Sequence, residues 1–349
     1  MKTTQFNINK LVRDNVQNLK PYSSARDEYV SDGSEMIFLD ANENPFENGV
    51  NRYPDPLQRS LKQLLASQKN VAPENILLGN GSDEVLDLIF RAFFEPKEDN
   101  IITLPPTYGM YKVLTGINNI EERQVLLTED FQPNIKEILN TTDQNTKAIF
   151  ICSPNNPTGN SIDEEKIIAL LQNFDGLVII DEAYIDFSDQ VSWVGRLDRY
   201  PNLVVTQTLS KAYGLAGIRL GICYASEEII AILNKIKPPY NVNELTQQRA
   251  LQRVQNIDAV KNEVADILQE RIKLEKELKN LSFVKKVYQT DANFILAKVD
   301  DANTRYDQLL KKGIVVRNRS SQPLCENTLR FTVGKAEENE ELIKALKTL

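Results

Sequence analysis

Residues 208 to 217 of this chain read TLSKAYGLAG, and Arg219 follows two residues later. The stretch comes directly after the apolar run 203–205 and holds one lysine, Lys211. A lysine ammonium is a poor nucleophile at pH 7, but in a partly desolvated pocket near other cations its amine becomes available to form a Schiff base with an aldehyde. An isolated Ser-Lys pair is more often a strand-to-loop junction with an exposed lysine, so the rest of the chain has to decide between the two interpretations.

Hydroxyl and guanidinium groups flank this lysine. Thr208, Ser210 and Arg219 together can hold a phosphate, because hydroxyl donors and a guanidinium fork match its oxygens. The aldehyde that carries a phosphate is pyridoxal phosphate. The stretch therefore predicts a site for pyridoxal 5'-phosphate bound through Lys211.

A carboxylate ends an apolar run about thirty residues upstream. Residues 176–184 read GLVIIDEAY, which predicts a buried strand that ends at Asp181. Side chains at the carboxyl ends of parallel strands line the ligand crevice of an α/β sheet, so Asp181 is placed to face a ligand. Pyridoxal chemistry needs an anion opposite the ring nitrogen, and Tyr184 is near enough in sequence to reach the phenolic oxygen. Alone, Asp181 is equally well explained as a cap of the next turn.

Two turns after apolar strands add polar and aromatic groups. Residues 153–159 read SPNNPTG, a rigid turn in which the amide of Asn156 can bond the ring oxygen. Residues 105–108 read PPTY, and Tyr108 offers a ring for stacking on the pyridine. Without the other elements, the first is an ordinary turn and the tyrosine is more often core or rim.

Residues 76–84 read ILLGNGSDE, which predicts a strand, a glycine turn and a helix with Ser82 as its N-cap. Gly81 lets the backbone approach closely, and the free N–H groups of the first helical turn attract an anion. We expect a second wall for the cofactor phosphate here. The run is not the dinucleotide fingerprint Gly-x-Gly-x-x-Gly, because Glu84 stands at the third glycine position.

The order of these five elements resembles that of the fold-type I pyridoxal-phosphate aminotransferases, and in detail the histidinol-phosphate aminotransferase family. Residues 208–217 are similar at every position to the class II aminotransferase attachment signature. The similarity extends over nearly the whole chain, through the segments LKPY (19–22), LDANENP (39–45), NRYP (51–54) and LRFTVG (329–334).

The resemblance implies a role for each cofactor-site residue. Lys211 forms the Schiff base and then moves the proton between the substrate's alpha carbon and the cofactor. Asp181 pairs with the pyridinium, Asn156 and Tyr184 bond the phenolic oxygen, and Tyr108 stacks on the ring. The groups that the resemblance assigns to the cofactor phosphate are Thr208, Ser210, Arg219 and the helix start at Gly81, Ser82, Asp83 and Glu84.

The resemblance also implies that Tyr53 reaches the cofactor phosphate of a neighbouring subunit, so the enzyme is expected to be an obligate homodimer with shared active sites. For the substrate it implies two late arginines, Arg317 and Arg330, together with Tyr22 and Asn156. Bidentate guanidinium contacts fix phosphate and carboxylate groups, as carried by histidinol phosphate, glutamate and 2-oxoglutarate.

The substrate assignment leaves two points open. Arg319 is a second basic residue beside Arg317, so either of the two is a candidate for the substrate contact. For Arg317 and Arg330 the plain alternative is an exposed strand arginine.

Composition excludes several other classes of protein. The 349 residues contain 41 Lys plus Arg and 49 Asp plus Glu, a net charge of −8, which argues against nucleic-acid binding. We expect a cytoplasmic enzyme, because no segment has the apolar character of a signal peptide or a membrane span. The three scattered cysteines indicate neither a disulfide nor a metal site. Histidine is absent, so a proton shuttle has to be lysine, tyrosine or a carboxylate.

Strands alternate with amphipathic helices over much of the chain, which predicts an α/β fold with a mostly parallel sheet flanked by helices. We assign residues 46–245 to this large cofactor-binding domain. Residues 1–45 and 246–349 are assigned to a smaller α+β domain, which begins with one long helix over about 246–281. Its strands are expected at 283–288, 294–297, 315–316 and 329–333.

The expected function is that of a histidinol-phosphate aminotransferase working by ping-pong half-reactions. A threonine-phosphate decarboxylase and an aromatic amino-acid aminotransferase on the same scaffold are the enzymatic alternatives. A cofactor-sensing transcription regulator is disfavoured, since the first motif of the catalytic domain already begins at Leu39 and leaves no room for a DNA-binding domain.

Overall fold

The computed structural model describes residues 6–22 and 36–349. In this part of the chain, seven strands form one sheet with helices on its faces, and four later strands form a second sheet. The strands of the larger sheet are β1 (Ile76–Asn80), β2 (Asn100–Thr103), β3 (Glu121–Gln124), β4 (Thr146–Cys152), β5 (Leu177–Asp181), β6 (Leu203–Thr208) and β7 (Leu220–Ala225). The helices up to the end of this sheet are α1 (Asp14–Gln17), α2 (Arg59–Lys69), α3 (Gly81–Phe93), α4 (Met110–Asn118), α5 (Ile135–Thr141), α6 (Glu164–Asn173) and α7 (Glu227–Ile236).

The larger sheet is mostly parallel, which confirms the predicted fold class. Its strand order is β1-β7-β6-β5-β4-β2-β3. The strands from β2 to β6 are parallel to their neighbours, whereas β7 runs antiparallel to both β6 and β1. Helices cover both faces, so a central strand such as β5 is buried along its whole length and reads as a continuous apolar run.

The three central parallel strands end at the same edge of the sheet. Cys152 of β4 lies opposite Asp181 of β5, and Asp181 lies opposite Thr206 of β6. The segments that follow these strands are the turn 153–159, residues 182–184 and the lysine stretch 208–217. Parallel strands place all three segments side by side, which is how residues far apart in the sequence come to form one site.

The second sheet is antiparallel, with the order β10-β11-β9-β8. Its strands are β8 (Val284–Val287), β9 (Phe294–Val299), β10 (Arg317–Asn318) and β11 (Thr328–Thr332). The remaining helices are α8 (Glu244–Gln255), α9 (Ile257–Lys279), α10 (Ala302–Lys311) and α11 (Ala336–Leu346). A separate apolar core lies between this sheet and the helices packed on it.

Three local predictions were wrong in detail. The helix expected over about 246–281 is two helices, because the backbone leaves the helical region at Asn256 (φ −95°, ψ 54°). The strand expected at 315–316 is formed instead by Arg317–Asn318. Ser82 is not an N-cap: α3 begins at Gly81, and the Glu84 carboxylate accepts the backbone N–H of Asn80 at 2.5 Å.

The amino-terminal segment packs on the helices of the larger sheet. Ile8, Leu11, Val12 and Val16 share a core with α3 and α7, and the Arg13 N–H donates to a carbonyl of α3. These contacts favour counting the segment with the large domain, although we assigned it to the small one. The boundaries at residues 46 and 245 stay predictions.

Candidate active site

A cavity of about 340 Å³ lies at the carboxyl edge of the central strands. It brings together residues from the larger sheet and from β10 and β11 of the smaller one. The lining residues are Ser82, Asp83, Tyr108, Cys152, Asn156, Asp181, Ala183, Tyr184, Thr208, Ser210, Lys211, Arg219, Arg317, Arg319 and Arg330. Most of the predicted site residues therefore meet in one place.

A larger cavity, of about 670 Å³, lies elsewhere on the molecule. Carboxylates make up six of its sixteen lining residues, among them Asp130, Asp163 and Asp291. It contains none of the residues predicted to bind the cofactor or the substrate. The smaller cavity is the candidate site because of its chemistry, not its size.

Asp181 is buried at the end of β5, and each of its oxygens accepts a hydrogen bond. Tyr111 Oη donates to Oδ2 at 3.1 Å, and the backbone N–H of Ala183 donates to Oδ1 at 3.1 Å. Burial raises the pKa of Asp181 to about 6, and these two hydrogen bonds counter the effect. At pH 7 the carboxylate is thus mainly ionised and ready to pair with a cation.

The sequence analysis missed Tyr111. It follows Tyr108 by three residues, so the two side chains point to the same side of the start of α4, and this spacing was the available signal. The rings meet edge to face at a centroid distance of 5.7 Å. Tyr108 in turn donates from its Oη to Asp83 Oδ1 at 3.0 Å.

The side-chain amine of Lys211 is available to a ligand. Among the described residues it makes no hydrogen bond or ion pair, and it lies 5.7 Å from the centre of the Tyr184 ring. Lys211 is exposed in the single chain. Burial of its stem, followed by the nearby Arg330 charge, lowers the pKa of Lys211, so more of the amine is neutral than in a solvated lysine.

The residues predicted to bind a phosphate, Thr208, Ser210 and Arg219, all line the cavity. Thr208 Oγ1 donates to the Leu220 carbonyl at 3.2 Å and accepts the Ser210 N–H at 3.1 Å. Ser210 Oγ is buried and finds no hydrogen-bond partner within the described ranges. A buried hydroxyl without a partner is costly, so this atom is suited to a ligand oxygen. Arg219 lines the same cavity, and its Nη2 lies 3.4 Å from Asp83 Oδ2.

Close backbone packing sets the position of Arg219. Gly81 has φ +75°, and a Cβ on it would lie 2.5 Å from Arg219 Nη2. The Gly81 N–H donates to the Arg219 carbonyl at 3.0 Å. A residue with a Cβ at position 81 would be strained at this φ and would push the guanidinium aside. Gly81 and Glu84 do not line the cavity of the single chain, whereas Ser82 and Asp83 do. The assignment of all four residues to the cofactor phosphate stays a prediction.

Three arginines enter the cavity from the smaller sheet. Arg317 lies opposite Arg330 in the register of β10 and β11, and Arg319 follows two residues after Arg317. The Nε atoms of Arg319 and Arg330 are buried and lack partners in the described part of the chain. Burial and the Arg319 charge lower the pKa of Arg330 to about 10. Holding these three guanidinium groups close together costs free energy, and an anionic ligand would offset this cost.

Asn156 links the two sheets. Its Oδ1 accepts a hydrogen bond from Arg330 Nη1, so the turn after β4 touches β11 directly. Tyr184 lies beside it in the lining, packed edge to face on Phe294 of β9 at 5.2 Å. Burial raises the pKa of the Tyr184 phenol, which stays protonated and able to donate.

Besides Gly81 and Glu84, two more predicted site residues lie outside the cavity of the single chain. Tyr53 is 50% exposed and stacks on Tyr240 with a centroid distance of 4.4 Å. Tyr22 is 75% exposed and ends a described segment. Their assignments to cofactor and substrate stay predictions.

The described part of the chain contains no helix long and apolar enough to cross a membrane. Likewise, residues 6–22 and 36–349 contain no group of three or more acidic or cysteine side chains that could hold a metal ion.

Comparison with known proteins defines the class. The family model "Aminotransferase class I and II" matches residues 37–346, nearly the whole chain. The protein is thus a class I and II aminotransferase, an enzyme that depends on pyridoxal 5'-phosphate.

Individual relatives narrow the class. The histidinol-phosphate aminotransferase of Flavobacterium johnsoniae is 67% identical over 345 residues, which cover 99% of both chains. That of Christiangramia forsetii is 65% identical over 99% of this chain and 98% of its own. At this level of identity, the chain belongs to the histidinol-phosphate aminotransferase family.

Solved structures agree with the fold. The histidinol-phosphate aminotransferase of Clostridium acetobutylicum matches with a TM-score of 0.79 and 27% identity, over 86% of this chain and 90% of its own. That of Sinorhizobium meliloti, solved in complex with pyridoxal-5'-phosphate, has a TM-score of 0.78 and 23% identity over 85% and 82% of the two chains.

The cavity fits the cofactor of this family on three independent grounds. Within the described residues, Lys211 offers an amine without a hydrogen-bond or ion-pair partner, Ser210 offers a buried hydroxyl without a hydrogen-bond partner, and Asp181 offers a buried carboxylate. These are the groups that an aldehyde, a phosphate and a pyridine nitrogen require.

Proposed function

We propose that this protein is a histidinol-phosphate aminotransferase of histidine biosynthesis. It exchanges an amino group between histidinol phosphate plus 2-oxoglutarate and imidazole-acetol phosphate plus glutamate, in two half-reactions at one site. The observation that carries the proposal is the cluster of five cations, Lys211, Arg219, Arg317, Arg319 and Arg330, around one cavity of an acidic protein. Such a cluster suits a phosphorylated cofactor and substrates that carry a phosphate or carboxylates.

Bound pyridoxal 5'-phosphate supplies the electron sink and the carrier for the amino group. Thr208, Ser210, Arg219 and the backbone at Ser82 and Asp83 hold its phosphate. Asp181 would pair with its ring nitrogen, Asn156 and Tyr184 would donate to its phenolic oxygen, and Tyr108 would stack on its ring.

Lys211 moves the proton. The lowered pKa of its amine favours the neutral form of Nζ, which can take a proton from the substrate's alpha carbon. The chain has no histidine, and the other titratable groups in the lining are four arginines, two phenols, a thiol and two carboxylates. The phenols of Tyr108 and Tyr184 have raised pKa values and serve as hydrogen-bond donors rather than bases.

The arginines bind the substrate. Arg330 receives the carboxylate of glutamate or the phosphate of histidinol phosphate, with Asn156 beside it. Arg319 and Arg317 extend the same cationic wall, and the buried Nε of Arg319 favours it as the second contact. Tyr22 is expected to approach the substrate from the amino-terminal segment.

The working unit is a homodimer with shared active sites. Val50, Tyr53 and Leu245 are each at least half exposed and line one depression on the surface of the single chain. Exposed apolar side chains grouped in one depression favour burial against a second copy. There Tyr53 would reach the partner subunit's cofactor phosphate. The dimer is expected to act in the cytoplasm, without nucleic-acid or membrane partners.

The test of the lysine assignment is the Lys211→Ala variant. We expect the purified wild type to be yellow with bound cofactor, and the variant to lose both this visible absorption and its turnover. Normal activity of the folded variant would contradict the mechanism outright.

Substrate choice is tested by half-reactions monitored in the cofactor spectrum. We expect rapid conversion with histidinol phosphate and at least tenfold slower conversion with phenylalanine, because phenylalanine lacks the phosphate that the arginine wall binds; a tenfold difference corresponds to about 1.4 kcal/mol. Threonine phosphate also carries a phosphate, so its product distinguishes it. Release of carbon dioxide from threonine phosphate would favour a decarboxylase, and preference for phenylalanine an aromatic aminotransferase. Specific DNA binding in a gel-shift assay would indicate a regulator.

A further inference from the structure

Tyr111 lies directly behind the carboxylate that faces the cofactor site. It belongs to α4, is 1% exposed, and donates to Asp181 Oδ2 over 3.1 Å. Asp181 lines the cavity, whereas Tyr111 does not. The hydroxyl of Tyr111 therefore acts on a ligand through Asp181.

The Tyr111 ring is fixed on two sides. It packs on Phe150 of β4 with a centroid distance of 5.0 Å and meets Tyr108 edge to face at 5.7 Å. The start of α4 thus carries both the ring expected to stack on the cofactor and the donor that holds the carboxylate. A hydroxyl held this rigidly fixes the orientation of the carboxylate at little entropic cost.

Few other charged groups stabilise the ionised form of Asp181. Lys211 is the cation among the charged and titratable groups that influence it, and its ammonium also interacts with Asp83. The hydrogen bond from Tyr111 is the largest influence that opposes burial in setting the pKa of Asp181. The remaining groups facing it from neighbouring elements are Asp83 of α3, Tyr108 before α4, Cys152 of β4 and Tyr184 after β5.

Tyr111 itself keeps its proton. Burial and the neighbouring Asp181 charge raise its pKa well above the usual value, so its hydroxyl acts as a donor to the carboxylate. Cys152 beside it likewise has a pKa raised by burial and stays a neutral thiol. The Asp181–Tyr111 pair is therefore an ionised carboxylate that accepts a hydrogen bond from a neutral phenol.

We propose that Tyr111 is a positioning residue of the cofactor site, whose hydroxyl aims the Asp181 carboxylate at the ring nitrogen of pyridoxal 5'-phosphate and keeps it ionised at neutral pH. The inference rests on the proposed role of Asp181 in the cofactor site. It adds a residue that touches neither cofactor nor substrate and that sets the strength of the pyridinium pair.

The experiment compares Tyr111→Phe with Tyr224→Phe, which removes the hydroxyl of another fully buried tyrosine that has no hydrogen-bond partner among the described residues. Dissociation constants of pyridoxal 5'-phosphate are measured from pH 5 to 9. Loss of a hydrogen bond to a charged group predicts about tenfold weaker binding for Tyr111→Phe at pH 7. Tyr224→Phe should bind like the wild type.

The pH profile separates this role from a merely structural one. Cofactor affinity falls with decreasing pH as Asp181 becomes protonated, and without the Tyr111 donor this fall should begin at a higher pH. The carboxyl ¹³C shift of Asp181 in the apoprotein should report the same upward move of its pKa. Site-specific 3-fluorotyrosine at position 111 is a stronger hydrogen-bond donor that keeps the aromatic ring. It should lower both the pH at which cofactor affinity begins to fall and the pKa of Asp181.

A double-mutant cycle completes the test. Tyr111→Phe should add little to the loss already caused by Asp181→Asn, because both act on one interaction. Wild-type affinity and pH profile in Tyr111→Phe, or an equal loss in the Asp181→Asn background, would overturn the proposal. Failure of the wild type itself to bind the cofactor would instead contradict the proposed function.

Discussion

At the scale of single residues, the site is built from charged groups whose burial costs folding free energy. Asp181 is an isolated carboxylate at the centre of a parallel sheet, and Arg330 is a half-buried cation beside two other arginines. Neither arrangement favours folding of the chain on its own. Both become favourable when a ring nitrogen and an anionic substrate complete the pairs.

Asp181→Asn should stabilise the apoprotein while removing activity. The raised pKa of Asp181, from 3.8 to about 6, corresponds to about 3 kcal/mol of lost stability once the group is ionised in both states. The stability of the protonated carboxyl is fully present below 3.8 and is lost as the pH rises through about 6. We therefore expect the variant to be more stable by about 1–3 kcal/mol at pH 7.

Urea unfolding of the apoprotein between pH 4 and 8 checks this result. The difference between variant and wild type should open as the pH rises and nearly vanish at pH 4. Asp189→Asn, which changes an exposed carboxylate, serves as the control and should leave stability unchanged. A destabilised Asp181→Asn apoprotein would show that the hydrogen bonds of the carboxylate outweigh its burial.

At the scale of elements, the phosphate end of the site depends on how closely α3 meets the loop before β7. A Cβ at Gly221 would lie 2.2 Å from the backbone of Gly81, and one at Gly81 would reach the Arg219 guanidinium. Two glycines thus let a strand and a helix start touch through their backbones. This contact places the first turn of α3 beside Arg219.

Gly81→Ala should weaken cofactor binding because it strains the backbone and displaces Arg219. A non-glycine residue at φ +75° costs about 1–2 kcal/mol, and the moved guanidinium loses contact with the phosphate. Gly217→Ala is the matched control, because nothing lies within 4 Å of its added Cβ. Thermal melting and cofactor titration measure both variants. Equal cofactor affinity of the two would contradict the importance of this approach.

The elements also show what could be predicted from the sequence. The apolar runs around residues 150, 179 and 204 identify parallel strands, and parallel strands force the residues after them to one edge. The start of α3 at Gly81 could not be foreseen, because it is capped by Glu84 reaching back to Asn80. The role of Tyr111 was hidden for a similar reason: its partner Asp181 is 70 residues away, and only the folded sheet brings them together.

At the scale of the whole molecule, two sheets share the work. The larger sheet supplies the cofactor groups and the smaller one supplies three arginines. Asn156 and Arg330 join them by a hydrogen bond. Tyr53 lies outside the cavity of its own chain, which is the expected arrangement for a residue that serves a second subunit.

Hybrid dimers test this sharing. Mixing inactive Lys211→Ala subunits with impaired Tyr53→Ala subunits should restore about a quarter of the wild-type activity, because half of the dimers are hybrids and each hybrid has one intact site. The control mixture pairs Lys211→Ala with Arg330→Ala. Both of these residues line the same cavity of one chain, so no intact site can form. Absence of rescue in the first mixture would argue that Tyr53 acts within its own chain or not at all.

The three guanidinium groups on β10, β11 and the turn after β10 have a consequence at the laboratory bench. They recognise oxyanions by charge and fork geometry, so inorganic phosphate and sulfate compete with the natural ligands. Buffers that contain these ions will depress turnover, and rising ionic strength will slow capture of the substrate. The grouping of three arginines that is proposed to bind the substrate therefore makes the measured turnover depend on the salts in the assay buffer.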